Sequence, residues 1–375
     1  MSVSIYVTEH LRDIATLAQP KRNALSRLSE NLLKRLLSIK ASQDRGHIVG
    51  TVYLLKALLT TNSSTRYQLV AQDWMKPALE QAMKAWGCES TTTIIATAPL
   101  VSPREQAFST KVWFNPLPTD TMALGQRVRS AYSTTMFPVV HLFHGLSHPN
   151  MLYDNFLRLL LEGTYPCDSL IMTSTASQRA LKNIMDYVSS EFGHAFHTTL
   201  RFTGRIDLIP LAVDTDFFKP GDKPKLRQRL SLPSESLVLL YLGKISPMKA
   251  DLTPLLRVFS ELVRKNTSIL WLVIAGSVED QYDVVLLEYA KVLGISGRIR
   301  FALDLTDDVR RDYLATADIF VSPSDSVQES FGLAPVEAMA CGVPQVVPDW
   351  DGYRDNVKHG VTGFLVPTYW TALLH

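Results

Sequence analysis

The stretch "DIFVSPSDSVQESFGLAPVEAMACGVPQVVPD", residues 318–349, decides the fold class of this chain. An apolar run, "DIFVSP", is followed by a polar loop, a helical segment through "APVEAMACG" and a second apolar run, "PQVVPD". A strand, a helix and a strand in about 30 residues make a βαβ unit, in which a right-handed crossover joins two parallel strands. We therefore predict a parallel sheet with helices on its faces.

The same alternation continues through the second half of the chain. Continuous apolar runs, which are typical of strands buried on both faces, lie at "LVLLYL", "ILWLVIAG" and "RIRFAL". Helical patterns separate them, over "TPLLRVFSELVRKN", "QYDVVLLEYAKVLG" and "TDDVRRDYLATA". Strands that alternate with helices of this length predict a Rossmann-like domain.

The first half shows a weaker form of this alternation. Predicted strands include "RYQLVAQD", "TTIIATAP", "FPVVHLFHG", "DSLIMTS" and "RIDLIPLAV", with helices over "HIVGTVYLLKALL", "PALEQAMKAWG" and "ASQRALKNIMDYV". The 375 residues exceed what a single core usually covers, so two domains are expected. We predict an N-terminal domain over residues 41–215 and a C-terminal domain over residues 216–375, joined through a segment rich in Pro, Gly and charge.

Residues 1–40 have a different character and are predicted to be an amphipathic helical extension. Within them, "NALSRLSENLLKRLLSIK" (23–40) places leucines on one helical face and Arg and Lys on the opposite face. Such a helix either packs on its own domain, which we favour, or makes peripheral contact with an anionic membrane surface.

Composition excludes several classes of protein. The 38 Lys and Arg nearly balance the 36 Asp and Glu, which gives no electrostatic reason to bind nucleic acid. The three cysteines are scattered and show no CxxC spacing, so they fit reduced thiols better than disulfides or a zinc site. No apolar run approaches the ~20 residues that span a bilayer, and no secretion signal is evident. A cytoplasmic enzyme or binding protein is expected.

Two carboxylates, Glu329 and Glu337, flank the point where the loop of residues 318–349 passes into its helix. Ligands of open α/β sheets bind beyond the carboxyl ends of the strands, where this loop lies. Gly332 allows the backbone to approach a ligand, and N–H groups from Phe331 to Leu333 at a helix start suit a phosphate. The Glu337 carboxylate, one turn further on, can accept two hydrogen bonds from a vicinal diol such as that of ribose.

Three segments together resemble glycosyltransferase family 4, the retaining transferases of GT-B fold. They are "IPLAVDTDFF", "GKISPMKADLTPLL" and "SPSDSVQESFGLAPVEAMACGVPQVVPDWDGYRDNVKHGVTGFLVPT". The resemblance implies two Rossmann-like domains facing a cleft and a UDP- or GDP-sugar donor held mostly by the C-terminal one. It also implies transfer of a hexosyl unit, with retention, to a hydroxyl of a glycan or lipid-linked saccharide. Family members have further helices beyond this point, so we expect a C-terminal domain that is incomplete.

The resemblance also assigns roles to particular residues. Glu337 would hold the ribose of the donor and Glu329 would face its sugar. Lys244 and Lys249, which follow Gly243, would stabilise the charge that develops on the departing nucleoside diphosphate. The family usually has Arg at the first of these lysine positions. On this account no metal or other cofactor is needed.

Three histidines crowd the end of a predicted strand in "FPVVHLFHGLSHPN". The resemblance implies that His144 touches the donor sugar, while His141 is expected to face the core. The spacing of His141, His144 and His148 also allows a metal site, but side chains on a strand and loop need not converge and no acidic or Cys partner is near. The "DTD" of Asp214 and Asp216 resembles an interdomain loop of the family, so a structural role is favoured over metal binding.

Two other functions stay open, and a third, glycoside hydrolysis, is disfavoured. Paired carboxylates also serve glycoside hydrolysis, but Glu337 lies in a helix whose first turn is the expected phosphate site, an awkward place for an elevated carboxyl pKa. A nucleotide-sugar epimerase of the same fold would use the same donor site. A truncated, inactive binding or interaction module is the second open alternative.

Overall fold

The computed structural model describes residues 2–7, 45–61, 64–96, 110–116, 122–146, 149–265, 269–324, 326 and 329–369. The chain divides into two compact units, Met1–Ile209 and Pro210–His375. The boundary predicted from the sequence, between residues 215 and 216, lies a few residues after this division.

In the described part of unit 1, seven strands form one parallel sheet in the order β3-β2-β1-β4-β5-β6-β7. The strands are β1 (Ser2–Tyr6), β2 (Arg66–Ala71), β3 (Thr92–Ala96), β4 (Trp113–Asn115), β5 (Val139–Phe143), β6 (Ser169–Met172) and β7 (Arg205–Leu208). The order reverses direction between β1 and β4, as in a doubly wound fold.

Helices connect these strands. They are α1 (Arg45–Thr61), α2 (Lys76–Trp86), α3 (Leu124–Tyr132), α4 (Pro149–Leu161) and α5 (Thr175–Phe196). The start of α5 follows from its sequence, because the Ser174 side chain accepts from the Ser177 N–H while the Ser177 side chain accepts from the Ser174 N–H. The end of α2 is set by Gly87, which adopts φ 68°.

The N-terminus corrects one prediction. Residues 2–6 are not part of a helical extension: they form β1, which lies inside the sheet between β2 and β4. Ile5 is fully buried, and the buried Ser4 hydroxyl donates to Gln68 Oε1 at 3.0 Å. The stretch "SVSIY" contains too few apolar residues to be recognised as a buried strand from the sequence alone. Its burial comes from the strands on both sides, β2 and β4. The predicted helix over residues 23–40 lies outside the described residues.

In the described part of unit 2, six strands form a second parallel sheet in the order β10-β9-β8-β11-β12-β13. The strands are β8 (Leu237–Leu242), β9 (Leu270–Gly276), β10 (Ile299–Leu303), β11 (Ile319–Val321), β12 (Gln345–Pro348) and β13 (Gly363–Val366). The helices are α6 (Lys223–Arg229), α7 (Thr253–Lys265), α8 (Tyr282–Val292), α9 (Asp307–Thr316), α10 (Leu333–Ala340) and α11 (Tyr353–Asn356). Each unit is thus a Rossmann-like α/β domain with a parallel sheet, as the sequence predicts.

The sheet of unit 2 is buried on both faces. Along β8, Leu240 and Leu242 belong to one core cluster, whereas Leu239 and Tyr241 belong to another. Successive side chains of a strand point to opposite faces, so the continuous apolar run "LVLLYL" supplies both clusters. The strand order reverses between β8 and β11, and the loops that leave these two strands therefore start side by side. Within the described ranges, no helix combines the length and apolar character needed to cross a membrane.

Candidate functional site

The loops after β8 and β9 meet backbone to backbone at the carboxyl edge of the unit 2 sheet. Gly276 has φ 140°, and a Cβ added there would lie 1.8 Å from the carbonyl oxygen of Gly243. The Ile245 N–H donates to the Ser277 carbonyl at 2.8 Å, and the Glu279 N–H donates to the Ile245 carbonyl at 3.1 Å. These bonds fix the path of the loop that carries Lys244.

Lys244 forms an ion pair with Glu279, with Nζ 3.0 Å from Oε2. A hydrogen bond from Ser246, together with the pair to Lys244, holds the pKa of Glu279 below its usual range. The Tyr241 hydroxyl donates to the Lys244 carbonyl at 2.8 Å and so anchors the backbone below the pair. Sequence reasoning missed Glu279. Its signal was its place just after β9, because neighbouring parallel strands end at the same edge of a sheet.

Lys249 contacts Glu329 directly, from Nζ to Oε2. Both side chains are largely buried, with 29% and 16% of their surfaces exposed. The Ser324 hydroxyl donates to the Lys249 carbonyl at 2.9 Å, which ties the loop after β11 to the loop after β8. The structure therefore brings two of the predicted site residues together at the switch point.

The loop after β12 packs against the backbone around Glu329. The Gly352 N–H donates to the Glu329 carbonyl at 3.0 Å, and a Cβ at residue 352 would lie 2.4 Å from the Ser330 carbonyl oxygen. Next to it, burial raises the pKa of Asp351 to about 6; the Glu329 charge adds to the rise and Lys249 opposes it. A second acidic group, which sequence reasoning did not assign, thus lies near the Lys249–Glu329 pair.

Helix α10 begins at Leu333, four residues after Glu329. Gly332 precedes its first residue, Leu333, with φ 81° and ψ 75°, a left-handed conformation that favours glycine. Phe331 is buried, and its carbonyl accepts a hydrogen bond from the Asn356 side chain. The first N–H groups of a helix have no acceptor inside the helix. This start of α10 can therefore offer N–H donors to an anion, as the sequence predicts.

Glu337 lies one turn into α10 and is 2% exposed. Its Oε2 contacts Nη2 of Arg310, which is on α9. Burial raises the pKa of Glu337 to about 7, although the Arg310 charge and hydrogen bond oppose the rise. The expectation that this position does not suit an elevated carboxyl pKa is therefore wrong, because the helix start does not offset the loss of water around the carboxylate.

Sequence reasoning also missed Arg310. It lies 27 residues before Glu337, and its guanidinium carbon is 5.6 Å from the centroid of the Phe218 ring. Nothing in the sequence "TDDVRRDYLATA" distinguishes Arg310 from Arg311, because the contact arises only when α9 packs beside α10.

His144 lies in unit 1, just after β5. Its Nε2 is 3.0 Å from Thr51 Oγ1 on α1 and 3.1 Å from the Pro116 carbonyl after β4. His141 is 1% exposed, as expected for a core position, and burial lowers its pKa to about 4 while Asp168 opposes the change. His148 lies outside the described residues.

Asp214 has a structural role in the "DTD" segment. Its Oδ1 accepts from the backbone N–H of Asp216 at 3.0 Å and of Phe217 at 3.1 Å, so it stabilises a turn. Among the residues that the structure describes, no group of three or more His, Cys, Asp or Glu is arranged to hold a metal ion.

A known family model matches most of the second unit. The sequence profile described as "Glycosyl transferases group 1" matches residues 222–375, which contain α10, both lysines and both glutamates. Over these residues the chain is similar to glycosyl transferases group 1. The resemblance drawn from the sequence is thereby confirmed.

Curated relatives match less than half of the chain. D-inositol 3-phosphate glycosyltransferase 2 of Catenulispora acidiphila is 36% identical over 169 residues, which are 44% of this chain and 39% of that protein. D-inositol 3-phosphate glycosyltransferase of Frankia alni is 37% identical over 186 residues, 48% of this chain and 44% of that protein. The match thus spans less than half the length of these relatives.

Solved structures are similar over both units. HepE of Anabaena, solved in complex with UDP, has a TM-score of 0.62 and 17% identity, covering 98% of this chain and 85% of that one. Sucrose-phosphate synthase of Thermosynechococcus elongatus has a TM-score of 0.62 and 15% identity, covering 98% and 86%. At these identities the likeness concerns the fold.

Proposed function

We propose that this protein is a retaining glycosyltransferase that moves a hexosyl unit from a nucleotide-sugar to a hydroxyl acceptor. One observation carries the proposal: Lys249 contacts Glu329 three residues before Gly332, where α10 begins. A cation, a carboxylate and a helix N-terminus at the switch point of a doubly wound sheet suit a ligand that joins a sugar to a diphosphate.

The donor diphosphate would bind between the lysines and the start of α10. Lys244 and Lys249 each pair with a carboxylate, so their positions are set before a ligand arrives. Charges fixed in advance stabilise the negative charge that develops on a leaving diphosphate without a cost of reorganisation. Gly243 and Gly332 let the backbone approach the phosphates closely. We propose no metal ion in this role.

The two glutamates would hold the opposite ends of the donor. Glu337, one turn into α10, would accept hydrogen bonds from the ribose diol, since a carboxylate accepts at both oxygens and the Arg310 contact uses only Oε2. Glu329 would face the hydroxyls of the donor sugar. His144 of unit 1 is proposed to contact the same sugar near its anomeric carbon.

The chemical step follows from retention. The bond from the anomeric carbon to the diphosphate oxygen breaks, and the bond to the acceptor oxygen forms on the same face of the sugar. The proton of the acceptor hydroxyl passes to the departing phosphate oxygen, which acts as the base. The protein's part is to orient the donor and to stabilise the developing charge.

The known proteins suggest which substrates to test first. HepE has been solved in complex with UDP and glucose, which supports a UDP-sugar as donor. The curated relatives are named as glycosyltransferases of D-inositol 3-phosphate, which supports a polyol or saccharide hydroxyl as acceptor. A lipid-linked saccharide, and contact of residues 23–40 with a membrane surface, stay predictions.

Calorimetric titration with UDP-, GDP- and ADP-glucose tests the donor site. We expect one of the three to bind, and we expect Lys249→Met to weaken that binding at least about tenfold, or about 1.4 kcal/mol. Lys265→Met is the matched control, since Lys265 is an exposed lysine at the end of α7. If all three sugars fail to bind the parent protein, or if Lys249→Met binds as tightly as the parent, the proposal is wrong.

Product analysis separates the possible reactions. With donor and myo-inositol phosphate or a simple saccharide as acceptor, we expect a new glycoside with the anomeric configuration of the donor, measured by NMR. A changed donor sugar without added acceptor would indicate an epimerase. Donor binding with no product across a panel of acceptors would indicate a binding module.

A further inference from the structure

Arg310 is the cation that faces the buried carboxylate of Glu337. Its Nη2 contacts Glu337 Oε2, and the two side chains are 20% and 2% exposed. A carboxylate removed from water to this degree is costly to ionise unless a cation lies beside it. The ionised state of Glu337 therefore depends on Arg310 far more than it would at the surface.

The other titratable groups around Glu337 either disfavour its ionised form or carry no charge near neutral pH. Asp307, at the start of α9, raises the pKa of Glu337. Cys341, just after α10, has its own pKa raised to about 11 by burial and then by Glu337, so it is a neutral thiol near neutral pH. Among the described groups that influence the Glu337 pKa, Arg310 supplies the positive charge.

The guanidinium of Arg310 also packs against an aromatic ring. Its carbon lies 5.6 Å from the centroid of the Phe218 ring, within the range of a cation–π contact, and Phe218 is 1% exposed. Arg311, next along the chain, serves other partners: it pairs with Asp308 at 3.3 Å and with Asp312 at 3.0 Å. Two neighbouring arginines on α9 thus have separate roles.

We propose that Arg310 is a positioning residue of the donor site, which keeps the Glu337 carboxylate ionised and directed for the ribose diol. This rests on the proposed function, in which Glu337 receives the ribose. Arg310 itself need not touch the donor, because it acts through the carboxylate.

The proposal predicts a specific dependence of donor binding on pH. An ionised carboxylate accepts hydrogen bonds at both oxygens, whereas a protonated one loses part of that capacity. Donor binding should therefore weaken as the pH falls through the pKa of Glu337, which is about 7 with Arg310 present. Without Arg310 that pKa rises, so the loss of binding begins at a higher pH.

The test is calorimetric titration of UDP-glucose, or of whichever sugar nucleotide the donor panel identifies, from about pH 5.5 to about pH 9. Its diphosphate is esterified at both ends and does not titrate in this range. For Arg310→Met we expect the midpoint of the affinity profile to move up by about one pH unit, which is about fivefold weaker affinity near pH 7 and about tenfold weaker affinity near pH 5.5. Near pH 9 the affinity should approach that of the parent. Arg310→Lys should restore most of the parent profile, since it restores the charge.

Arg311→Met is the matched control, from the same helix and with the same loss of charge, and its profile should follow the parent. Circular dichroism and thermal unfolding check that each variant is folded, and Arg310→Lys keeps the test open if Arg310→Met is not. The other titrating groups, including Asp351, are common to all variants, so the difference between profiles isolates Arg310.

Two outcomes overturn the proposal while the function stands: an Arg310→Met profile equal to that of the parent, or a folded Arg310→Met that binds weakly by the same factor at every pH. If the parent protein binds no sugar nucleotide at any pH, the proposed function itself has failed, and this inference falls with it.

Discussion

At the scale of single residues, the candidate site consists of charged groups that the fold has partly removed from water. Glu337 is the clearest case, since it is 2% exposed and has one cation, Arg310, against it. Lys249 and Glu329 make a similar but more exposed pair. These ion pairs hold the charged side chains in place. A donor diphosphate or ribose would therefore bind to side chains whose positions are already set.

The buried carboxylate of Glu337 has a consequence for stability. Its pKa is raised from 4.5 to about 7 in the folded state, so between these values the folded chain binds more protons than the unfolded chain. The free energy of unfolding should therefore fall as the pH rises through this window, by an amount on the order of 1–3 kcal/mol. Glu337→Gln removes the titration.

Urea unfolding at about pH 5 and about pH 7.5 measures this effect. We expect Glu337→Gln to gain stability relative to the parent as the pH rises from the lower to the higher value. A stability difference between the two proteins that is the same at both pH values would contradict the raised pKa.

Gly352 is a second residue whose size matters. A Cβ there would lie 2.4 Å from the Ser330 carbonyl oxygen and 2.7 Å from that of Glu329. Both obstacles are backbone, so Gly352→Ala should destabilise the fold by about 1–3 kcal/mol and shift the loop that carries Glu329. Thermal unfolding and donor titration measure the two effects. Gly297→Ala is the control, because a Cβ at Gly297 meets nothing within 4 Å; equal behaviour of the two variants would refute the argument.

At the scale of secondary-structure elements, both sheets use the same device to align neighbouring strands. Asp168, just before β6, accepts from the Val139 N–H at 2.8 Å, where β5 begins, and pairs with Arg129 of α3. Asp318, just before β11, accepts from the Val238 N–H of β8 at 2.9 Å and pairs with Arg227 of α6. In each unit, an aspartate at the amino edge of the sheet links two parallel strands and a helix.

Asp168→Asn tests this device where it is most buried. The Arg129 and Asp168 side chains are 4% and 1% exposed, so the substitution leaves a buried guanidinium without its anion. Removing one partner of a buried pair costs about 3–5 kcal/mol, and we expect a loss of this order in denaturant unfolding. Asp186→Asn, at an exposed position on α5, should change stability by less than about 0.5 kcal/mol. A similar small change for Asp168→Asn would show that the pair does not align the strands.

At the scale of the whole molecule, each unit has its own core. The described clusters of buried apolar residues contain residues of one unit or of the other, and none crosses the division at Ile209 and Pro210. The proposed donor contacts come mainly from unit 2, with His144 as the contribution of unit 1. Each unit can therefore be tested for its own part in binding.

Hydrogen exchange with and without UDP-glucose, or the donor that binds, measures those parts. We expect the strongest protection in residues 243–250 and 329–340, and weaker protection in residues 139–146 if His144 reaches the sugar. Lys249→Met at the same donor concentration should lose protection in all three segments together. Protection confined to unit 1 would contradict a donor site on unit 2.

The sequence predicted most of unit 2 because its strands can be recognised from their local residue pattern alone. "LVLLYL" and "ILWLVIAG" are continuous apolar runs bounded by Gly, and these became β8 and β9. It missed β1 and the three-residue β4, whose burial comes from neighbours far along the chain. At the carboxyl edge of the unit 2 sheet, the sequence pointed to the lysines and glutamates but not to two of their partners, Glu279 and Arg310.

By itself, the sequence determined the alternation of strands and helices, the start of α10 at Gly332, and the lysines and glutamates that follow strands. These depend on local pattern, because period, glycine conformation and strand ends are properties of short segments. Only the tertiary structure decided that Lys249 meets Glu329, 80 residues away, and that Arg310 covers Glu337. Strand order and helix packing bring those groups together, and burial between packed helices, which no short segment encodes, sets the pKa of Glu337.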